Sequence, residues 1–252
     1  MIQLQTSAPQ LCVHSLSKLV SSLWGPPVMY VTNSNEFTTP TPVAAICGAT
    51  RNLPETRLKQ GVNLFHQGDR VHWIYQVKTG VVRLTRLLEN GRRQVIAFGY
   101  PGDIVGFPLD GQHHTDCEGL SNATLQRYRR SALEDGDGDP QMHRDLLQAA
   151  LREISAMQDH FMMLGRKSAL EKVASFICVL TDRVGQSVGN YKQVSLPMSR
   201  SDIADFLGLT TETVSRSLTQ LRKRKAIAID NIYTIVILRP DVLRELSLGD
   251  HD

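Results

Sequence analysis

The chain has 252 residues, of which 41% are hydrophobic and 21% are charged, and its formal net charge at pH 7 is +3. This composition is that of a globular protein, so a low-complexity or fibrous chain is excluded, and the length suffices for about two domains. No apolar run reaches the roughly 18 residues that a membrane-spanning helix needs, and no signal peptide is recognisable. We therefore expect a cytoplasmic protein without a membrane partner.

Charge is unevenly distributed along the chain. Residues 165–225 contain 11 Lys and Arg against 5 Asp and Glu, a net charge of +6, which leaves −3 for the remainder. A basic C-terminal block attached to a slightly acidic remainder predicts a nucleic-acid-binding domain joined to a domain of another kind.

The cysteines and histidines form no metal-binding motif. The cysteines are far apart in the sequence, and none belongs to a Cys-x-x-Cys pair. They are Cys12, Cys47, Cys117 and Cys178. The neighbouring His113 and His114 would point to opposite faces of a strand, so they cannot easily share one ion. The sequence therefore predicts no metal site.

The first part of the chain divides into two segments. Residues 1–50 are rich in Ser, Thr, Pro and Asn and have no sustained periodicity, which predicts a poorly ordered N-terminal extension. In residues 51–138, short β-rich runs are separated by glycines, and Glu89-Asn90-Gly91 is typical of a hairpin turn. Short strands at this spacing predict an antiparallel jelly-roll, called the β-roll below.

Residues 139–164 have a helical period. Apolar residues recur at alternating steps of three and four, which is a heptad pattern. They are Leu147, Ala150, Ile154, Met157, Phe161 and Leu164. One interpretation is a core helix packed on its own β domain. The favoured interpretation is a dimerisation helix, because a long helix between two domains must bury its apolar stripe and a symmetric copy is the simplest partner. Asp139 and Pro140 suit its N-cap and first position.

The C-terminal segment, residues 165–252, has the pattern of a helix-turn-helix. It begins with a helix that is predicted to stop at Gly185. Further along, Ala204 is small where two helices would cross, and Gly208 permits the positive φ of the turn between them.

Capping residues and a β-hairpin complete this motif. Ser199 and Thr210 are predicted to cap the two helices, and two apolar β runs follow around a turn predicted at Asp230-Asn231. The predicted fold class is therefore α+β, with an N-terminal antiparallel β-roll, a long dimerisation helix and a C-terminal winged helix-turn-helix.

The second helix of the motif is predicted to read DNA. With Val214, Leu218 and Leu221 facing inward, a polar face is left to enter the major groove. The predicted DNA-binding residues are Arg200, Thr210, Thr211, Glu212, Ser215, Arg216 and Thr219.

Two of these residues, Glu212 and Arg216, allow two interpretations. Arg216 can donate two hydrogen bonds to guanine, and Glu212 can accept one from cytosine. The alternative is an ion pair between the two side chains, worth about 0.3–0.5 kcal/mol on an exposed helix. Base reading is favoured because both residues lie at the groove-facing start of the helix.

Several motifs together resemble the CRP/FNR superfamily of bacterial transcription regulators, and the resemblance extends from about Leu58 to the C-terminus, about four-fifths of the chain. They are "GVNLFHQGD", "IYQVKTGVVRL", "NGRRQVIAF", "PGDIVG", "LGRKSALEKVASFI" and "SRSDIADFLGLTTETVSRSLTQL". In the FNR and FixK branches the recognition helix carries Glu-x-x-Ser-Arg, which Glu212, Ser215 and Arg216 match.

The resemblance implies a homodimeric activator that binds a TTGAT–N4–ATCAA-like palindrome, pairs through the heptads of residues 147–168 and contacts RNA polymerase. It further implies that the β-roll is a sensor or effector domain, and that the regulon concerns low oxygen or nitrogen fixation.

The effector signals of the family are not recognisable. Members that bind cyclic nucleotides hold the phosphate with a Gly-Glu pair and an Arg-Ser pair, whereas this chain has Phe107-Pro108 and an arginine-free "TDCEGL". A buried phosphate without a cationic partner would be costly. The clustered N-terminal cysteines of the iron–sulfur members are also missing. We therefore predict no cofactor; the alternative is a ligand- or redox-responsive regulator with a small molecule or haem in the β-roll.

Cys178 is the candidate for redox control. Its position is one step off an apolar stripe of its helix, so partial exposure near basic residues would lower the pKa of the thiol. The competing interpretation is a small buried hydrophobe. An enzyme of the cupin type is not expected, because the His-x-His metal pattern of that fold is missing.

Overall fold

The computed structural model describes residues 53–107, 110–135 and 139–249. The predicted N-terminal extension, with Cys12 and Cys47, lies outside the described residues. The first part of the described chain consists of short strands. They are β1 (Glu55–Leu58), β2 (Asn63–Phe65), β3 (Trp73–Thr79), β4 (Val82–Leu87), β5 (Arg93–Gly99), β6 (Ile104–Val105), β7 (Asp116–Gly119) and β8 (Ala123–Arg129).

These strands form two antiparallel four-stranded sheets, with the orders β1-β8-β3-β6 and β2-β7-β4-β5. The predicted β4–β5 hairpin is confirmed, with Gly91 at a φ of 76° in the turn. Alternate residues of the strands point between the sheets, so Phe65, Val77 and Leu125 form a closed apolar core. The predicted antiparallel β-roll is thereby confirmed.

A short helix, α1 (Arg130–Glu134), leads to the long helix α2 (Pro140–Arg166). The Asp139 side chain caps α2 by accepting hydrogen bonds from the backbone N–H groups of Gln141 and Met142, both at 3.1 Å, and Pro140 takes the first helical position. One face of α2 is buried within the chain. Its buried apolar residues are Met142, Leu146, Ala156 and Met163.

The next helix, α3 (Ala169–Val184), begins with a capping box formed by Ser168 and Glu171. It ends at Gly185, as predicted. Every residue from Val173 to Thr181 is buried, so this helix is enclosed on all sides rather than amphipathic.

The C-terminal part contains α4 (Arg200–Leu207), α5 (Thr211–Lys223) and α6 (Pro240–Leu248), together with a third sheet. Its strands are β9 (Gln186–Val188), β10 (Tyr191–Ser195), β11 (Ile227–Asn231) and β12 (Thr234–Ile237), in the order β11-β12-β10-β9. The helix-turn-helix and its wing are confirmed, whereas β9, β10 and α6 were not predicted.

The wing turn lies later than predicted. Strand β11 continues through the expected turn residues Asp230-Asn231, and the chain reverses at Ile232-Tyr233. The physical reason is local, because the Asn231 side-chain oxygen accepts a hydrogen bond from the Tyr233 backbone N–H at 2.8 Å. This contact closes the turn after the asparagine rather than across it.

The β-roll and the C-terminal unit share one apolar core. Phe98 of β5 contacts Phe206 of α4 and Phe176 of α3, with ring centroids 5.2 and 6.3 Å apart. The tilted arrangement of the three rings is typical of buried aromatic clusters. The helix-turn-helix is therefore docked directly on the β-roll.

Candidate nucleic-acid interface

The two helices of the helix-turn-helix are fixed by local capping and by a glycine turn. Ser199 and Asp202 form a capping box at the start of α4. Gly208 adopts the left-handed conformation with a φ of 63°, and its N–H donates to the Ala204 carbonyl. The Thr210 hydroxyl accepts from the Thr213 N–H at 3.2 Å and caps α5. The capping roles predicted for Ser199 and Thr210 and the turn predicted at Gly208 are confirmed.

Helix α5 has a buried spine and an exposed outer face. Val214, Leu218 and Leu221 are buried against the rest of the C-terminal unit. The outer face carries the residues that were predicted to enter the major groove. Thr211, Glu212, Ser215 and Arg216 are exposed, and Thr219 is half-buried.

Hydrogen bonds along this face fix the short side chains. The Ser215 hydroxyl donates to the Thr211 carbonyl, and the Thr219 hydroxyl donates to the Ser215 carbonyl, each at 2.9 Å. Such bonds hold the hydroxyls close to the helix backbone. The longer side chains of Glu212 and Arg216 therefore project furthest from the outer face.

The carboxylate of Glu212 is stabilised in its charged form. The pKa of Glu212 is lowered, first by its own backbone N–H, then by the Thr210 hydroxyl and, to a smaller extent, by the charge of Arg216. Within the described part of the chain, the ion pairs do not include one between Glu212 and Arg216. Glu212 and Arg216 therefore both present charged groups on the exposed outer face of α5.

Basic residues lie at the start of α4 and at the end of α5. Arg200 starts α4 and is half-buried; its Nη1 has no hydrogen-bond partner, and burial lowers the pKa of the guanidinium. An exposed run of cationic residues lies at the C-terminal end of α5, where its positive charge is complementary to the helix dipole. Its residues are Arg222, Lys223, Arg224 and Lys225.

The expected partial exposure of Cys178 and the expected lowering of the pKa of its thiol are wrong. The side chain is buried, and burial raises the pKa of the thiol to about 11, despite a hydrogen bond with Ser247 that lowers it. The reason is helix α6, which covers this side of α3. The thiol is therefore mostly protonated at neutral pH, and the competing interpretation of a small buried hydrophobe agrees with the structure.

Two models of known families match this chain. The cyclic nucleotide-binding domain matches residues 55–135, and the Crp-like helix-turn-helix domain matches residues 171–246. The nitrogen fixation regulation protein FixK of Rhizobium meliloti is 41% identical over 188 residues, which are 75% of this chain and 84% of that protein. This chain belongs to the CRP/FNR family.

Further CRP/FNR members agree with this assignment. The fumarate and nitrate reduction regulatory protein of Escherichia coli is 31% identical, over 75% of this chain and 77% of that protein. The structure of FixK2 from Bradyrhizobium japonicum has a TM-score of 0.71 at 35% sequence identity, and the match covers 79% of this chain and 98% of that one. The chain is thus a DNA-binding transcription regulator of the FixK/FNR type.

The family model implies a cyclic nucleotide, and the β-roll residues do not fit that ligand. In the described residues, Phe107 lies shortly after strand β6. Strand β7 supplies Cys117 and Glu118, in the segment where the resemblance to cyclic-nucleotide-binding members would require an arginine for the phosphate. Cys117 is fully buried in the apolar core, and Glu118 is paired with Arg83 at 2.6 Å. An acidic strand that is already engaged in this pair offers no charge to balance a buried phosphate.

The described residues also contain no metal-ligand cluster. Over residues 53–107, 110–135 and 139–249, no group of three or more His, Cys, Asp or Glu is placed to hold a metal. His113 instead stacks on Phe65, with ring centroids 3.6 Å apart. No helix of the described chain has the length and apolar character needed to cross a membrane.

The sequence did not indicate the contacts between the β-roll and the helix-turn-helix. Arg83 and Arg93 of the β-roll form ion pairs with Asp202 of α4, and Arg183 of α3 pairs with Asp103 at 2.5 Å. The partners lie 119, 109 and 80 residues apart in the sequence. No local pattern links such distant residues. The signal in the sequence was limited to the quoted motifs "IYQVKTGVVRL" and "NGRRQVIAF", which place Arg83 and Arg93 in strands.

Proposed function

We propose that this chain is a homodimeric, sequence-specific transcription activator of a TTGAT–N4–ATCAA-like palindrome. The observation that carries the proposal is the outer face of α5, where Glu212, Ser215 and Arg216 are exposed together at the start of the helix. This is the end of a recognition helix that contacts base edges. The half-site is the one that the family resemblance implies for this triplet.

Each side chain on the outer face of α5, called the reading face below, has a chemical role in the proposal. Arg216 donates two hydrogen bonds to O6 and N7 of guanine, and Glu212 accepts from N4 of cytosine. Ser215 and Thr219 adjust the fit of the helix in the groove, and Thr211 lies beside them. Such base contacts specify the sequence, whereas contacts to phosphates position the protein.

Phosphate contacts are proposed for residues at the helix starts. Thr210 caps α5, and Arg200 starts α4 with a buried Nη1 that lacks a hydrogen-bond partner. The guanidinium of Arg200 is half-buried, so its accessible N–H groups can donate to a DNA phosphate in a charge-assisted hydrogen bond.

The dimer is proposed to form through the second face of α2. Leu147, Ile154, Met157 and Phe161 are 41%, 54%, 46% and 77% exposed in the single chain. Ala150 and Leu164 are half-buried beside them. An exposed apolar stripe along a 27-residue helix is typical of an interface. A two-fold axis along α2 would present two copies of α5 to a palindrome.

The cellular role follows from the relatives. FixK of Rhizobium meliloti is named a nitrogen fixation regulation protein, and we propose a regulon of low-oxygen or nitrogen-fixation genes for this chain. RNA polymerase is the proposed protein partner, the cytoplasm the proposed compartment, and no enzyme activity is proposed. We also propose the division into a β-roll (51–138), a dimerisation helix (139–164) and a winged helix-turn-helix (165–252).

Selection of binding sites from random double-stranded DNA tests this function, followed by footprinting on the recovered sequences. We expect a palindrome with two TTGAT-like half-sites and a four-base-pair spacer, in agreement with two recognition helices one helical turn apart. Recovery of unrelated single sites, or of no enriched sequence, would contradict the proposal.

A further inference from the structure

We propose that Arg83 and Arg93 of the β-roll are positioning residues for DNA binding, acting through Asp202 and Asp205 of α4. The proposal rests on the proposed function and adds a role for residues that do not touch DNA. The β-roll, in this view, sets the orientation of the helix-turn-helix directly through side chains.

The contacts reach from two adjacent strands to one helix. Arg93 of β5 donates from Nη2 to Asp202 Oδ1 at 2.8 Å and to Asp205 Oδ2 at 2.7 Å, and from Nε to Asp205 Oδ2 at 3.1 Å. Arg83 of β4 donates to the same Oδ1 of Asp202, and to Glu118 Oε2 at 2.6 Å. Gln94 adds a hydrogen bond to the Asp205 carbonyl.

The central carboxylate is shared between the two units. Oδ1 of Asp202 accepts from both arginines, while Oδ2 accepts from the Ser199 hydroxyl at 2.8 Å and from the Ser199 N–H at 3.0 Å. Burial would raise the pKa of Asp202, but the Ser199 hydrogen bonds and the two guanidinium charges lower it. One ionised side chain therefore caps α4 and anchors the start of that helix to the β-roll.

The contact of Arg83 and Arg93 with Asp202 and Asp205, called the anchor below, is rigid because its central ion pair is buried. The exposed fractions of the side chains are 11% for Arg83 and 5% for Asp202. A charge-assisted hydrogen bond in such a site is strong and directional, and removing one partner would leave the other charged group buried and unpaired. Arg93 is more exposed, at 37%, so it can be replaced with less damage to the fold.

The anchor holds α4 and leaves the reading face clear. Asp202 and Asp205 belong to the first helix of the motif, whereas Glu212, Ser215 and Arg216 are exposed on the second. Ala204 of α4 and Val214 of α5 lie in the same buried cluster, so a fixed α4 also fixes α5. The docked state is therefore compatible with DNA binding, and it orders the reading face before DNA arrives, which reduces the entropic cost of association.

If the anchor orients the recognition helices, its loss should change the preference for half-site spacing. An anchor that only stabilised the fold would not have this effect. In a dimer, two rigidly held recognition helices tolerate only one half-site spacing, whereas loosely held ones tolerate several. Loss of the anchor should thus weaken binding to the best palindrome and also reduce discrimination against palindromes whose spacer is one base pair longer or shorter.

The test uses the full chain with Arg93→Ala, the matched control Arg86→Ala and the charge exchange Arg93→Asp/Asp205→Arg. Arg86 is an exposed arginine on the neighbouring strand β4. We expect Arg93→Ala to lose about tenfold in affinity for the selected palindrome and most of its spacer discrimination, while the control keeps both. The charge exchange should recover spacer discrimination in part.

A DNA-free measurement separates this proposal from the proposed function. Hydrogen exchange of the α4 amides, residues 200–207, should accelerate in Arg93→Ala and not in Arg86→Ala. Unchanged exchange, or a folded Arg93→Ala protein with wild-type affinity and spacing preference, overturns the positioning role. Failure of the wild-type protein to select any palindrome overturns the proposed function instead, whatever the exchange rates are.

Discussion

His160 of α2 stacks on Phe206 of α4, with ring centroids 4.4 Å apart and an interplanar angle of 22°. The imidazole of the long helix thus lies directly on the first helix of the helix-turn-helix. Phe206 in turn contacts Phe98 of the β-roll. One aromatic side chain therefore touches all three parts of the chain, and the stack links the proposed dimerisation helix to the DNA-binding unit.

Replacing His160 should change how stability depends on pH. Burial lowers the pKa of His160 to about 4 from an ordinary value of 6.5, although a hydrogen bond with the Phe206 backbone partly opposes the shift. The unfolded chain then binds more protons than the folded chain between these pH values, so stability is lost as pH falls from 6.5 to 4. For His160→Phe we expect the loss over this window to be smaller, by up to about 3 kcal/mol.

Urea unfolding at a series of pH values from neutral to acidic measures this difference. The phenyl ring of the variant keeps an aromatic surface against Phe206, so the comparison isolates titration from stacking. Parallel stability curves for wild type and variant would show that His160 does not titrate with folding.

Arg216→Ala should weaken binding to the selected palindrome by about 1–3 kcal/mol and relax the preference at the guanine position. The matched control is Arg222→Ala, in the exposed cationic run at the other end of α5. The control should weaken binding to all sequences alike. It should also reduce the slope of the logarithm of the binding constant against the logarithm of the salt concentration by about one. Fluorescence anisotropy with cognate and mutated duplexes at several salt concentrations distinguishes the two patterns; a uniform loss in Arg216→Ala would make it a phosphate contact.

Phe161→Glu should convert the protein to a monomer. The side chain is 77% exposed in the single chain, so the change costs little in the fold, but in the proposed dimer it brings carboxylates into an apolar interface. We expect the dissociation constant of the dimer to rise by at least about 100-fold. The control Leu87→Glu alters a side chain that is 62% exposed on β4. Analytical ultracentrifugation reports both; a dimeric Phe161→Glu protein would place the interface elsewhere.

Gly208→Ala should destabilise the protein by about 1–2 kcal/mol, because in the left-handed conformation the Cβ of an alanine lies too close to the following carbonyl oxygen. The φ of Gly208 is 63°, and an added Cβ would meet nothing within 4 Å, so conformation alone accounts for the effect. Gly165, in α2, also has open space around it and no positive φ. Gly165→Ala is therefore expected to stabilise the helix by about 0.5–1 kcal/mol. Thermal unfolding at one protein concentration tests this pair, and effects of the same sign would contradict it.

Peroxide should have the same effect on DNA binding by wild-type protein and by Cys178→Ala. The thiol is buried, and its raised pKa of about 11 leaves little thiolate to react near neutral pH. Peptide mapping after alkylation should find Cys178 modified only after unfolding. Rapid alkylation of the folded chain, or protection from peroxide by the substitution, would restore the redox hypothesis.

The helix-turn-helix was predictable because its determinants are local. Gly208 and the capping residues Ser199 and Thr210 act within a few residues of their partners, and the apolar spacing from Ala204 to Val214 follows from helix geometry. The same holds for the start of α2 at Asp139. The reading face of α5 followed directly from its buried spine.

The remaining features depend on contacts between distant parts of the chain. The expected partial exposure of Cys178 is wrong because the unpredicted helix α6 covers this side of α3. The anchor between Arg93 and Asp202 joins residues 109 positions apart, and charged residues on a strand read in isolation as a solvent-facing surface. Tertiary neighbours, rather than propensity or periodicity, decide both cases.

Because one of the two apolar faces of α2 is exposed in the single chain, the concentration of the protein is expected to control how much of the proposed dimer forms. One face is buried within the chain by Leu146 and Met163, whereas the other, around Ile154 and Phe161, is exposed in the single chain and is the proposed dimer interface. At concentrations well below the dimer dissociation constant, doubling the chain raises the proposed dimer about fourfold by mass action. Gene expression would then respond more steeply than synthesis of the regulator, and rapid turnover of the chain would switch its targets off without any ligand.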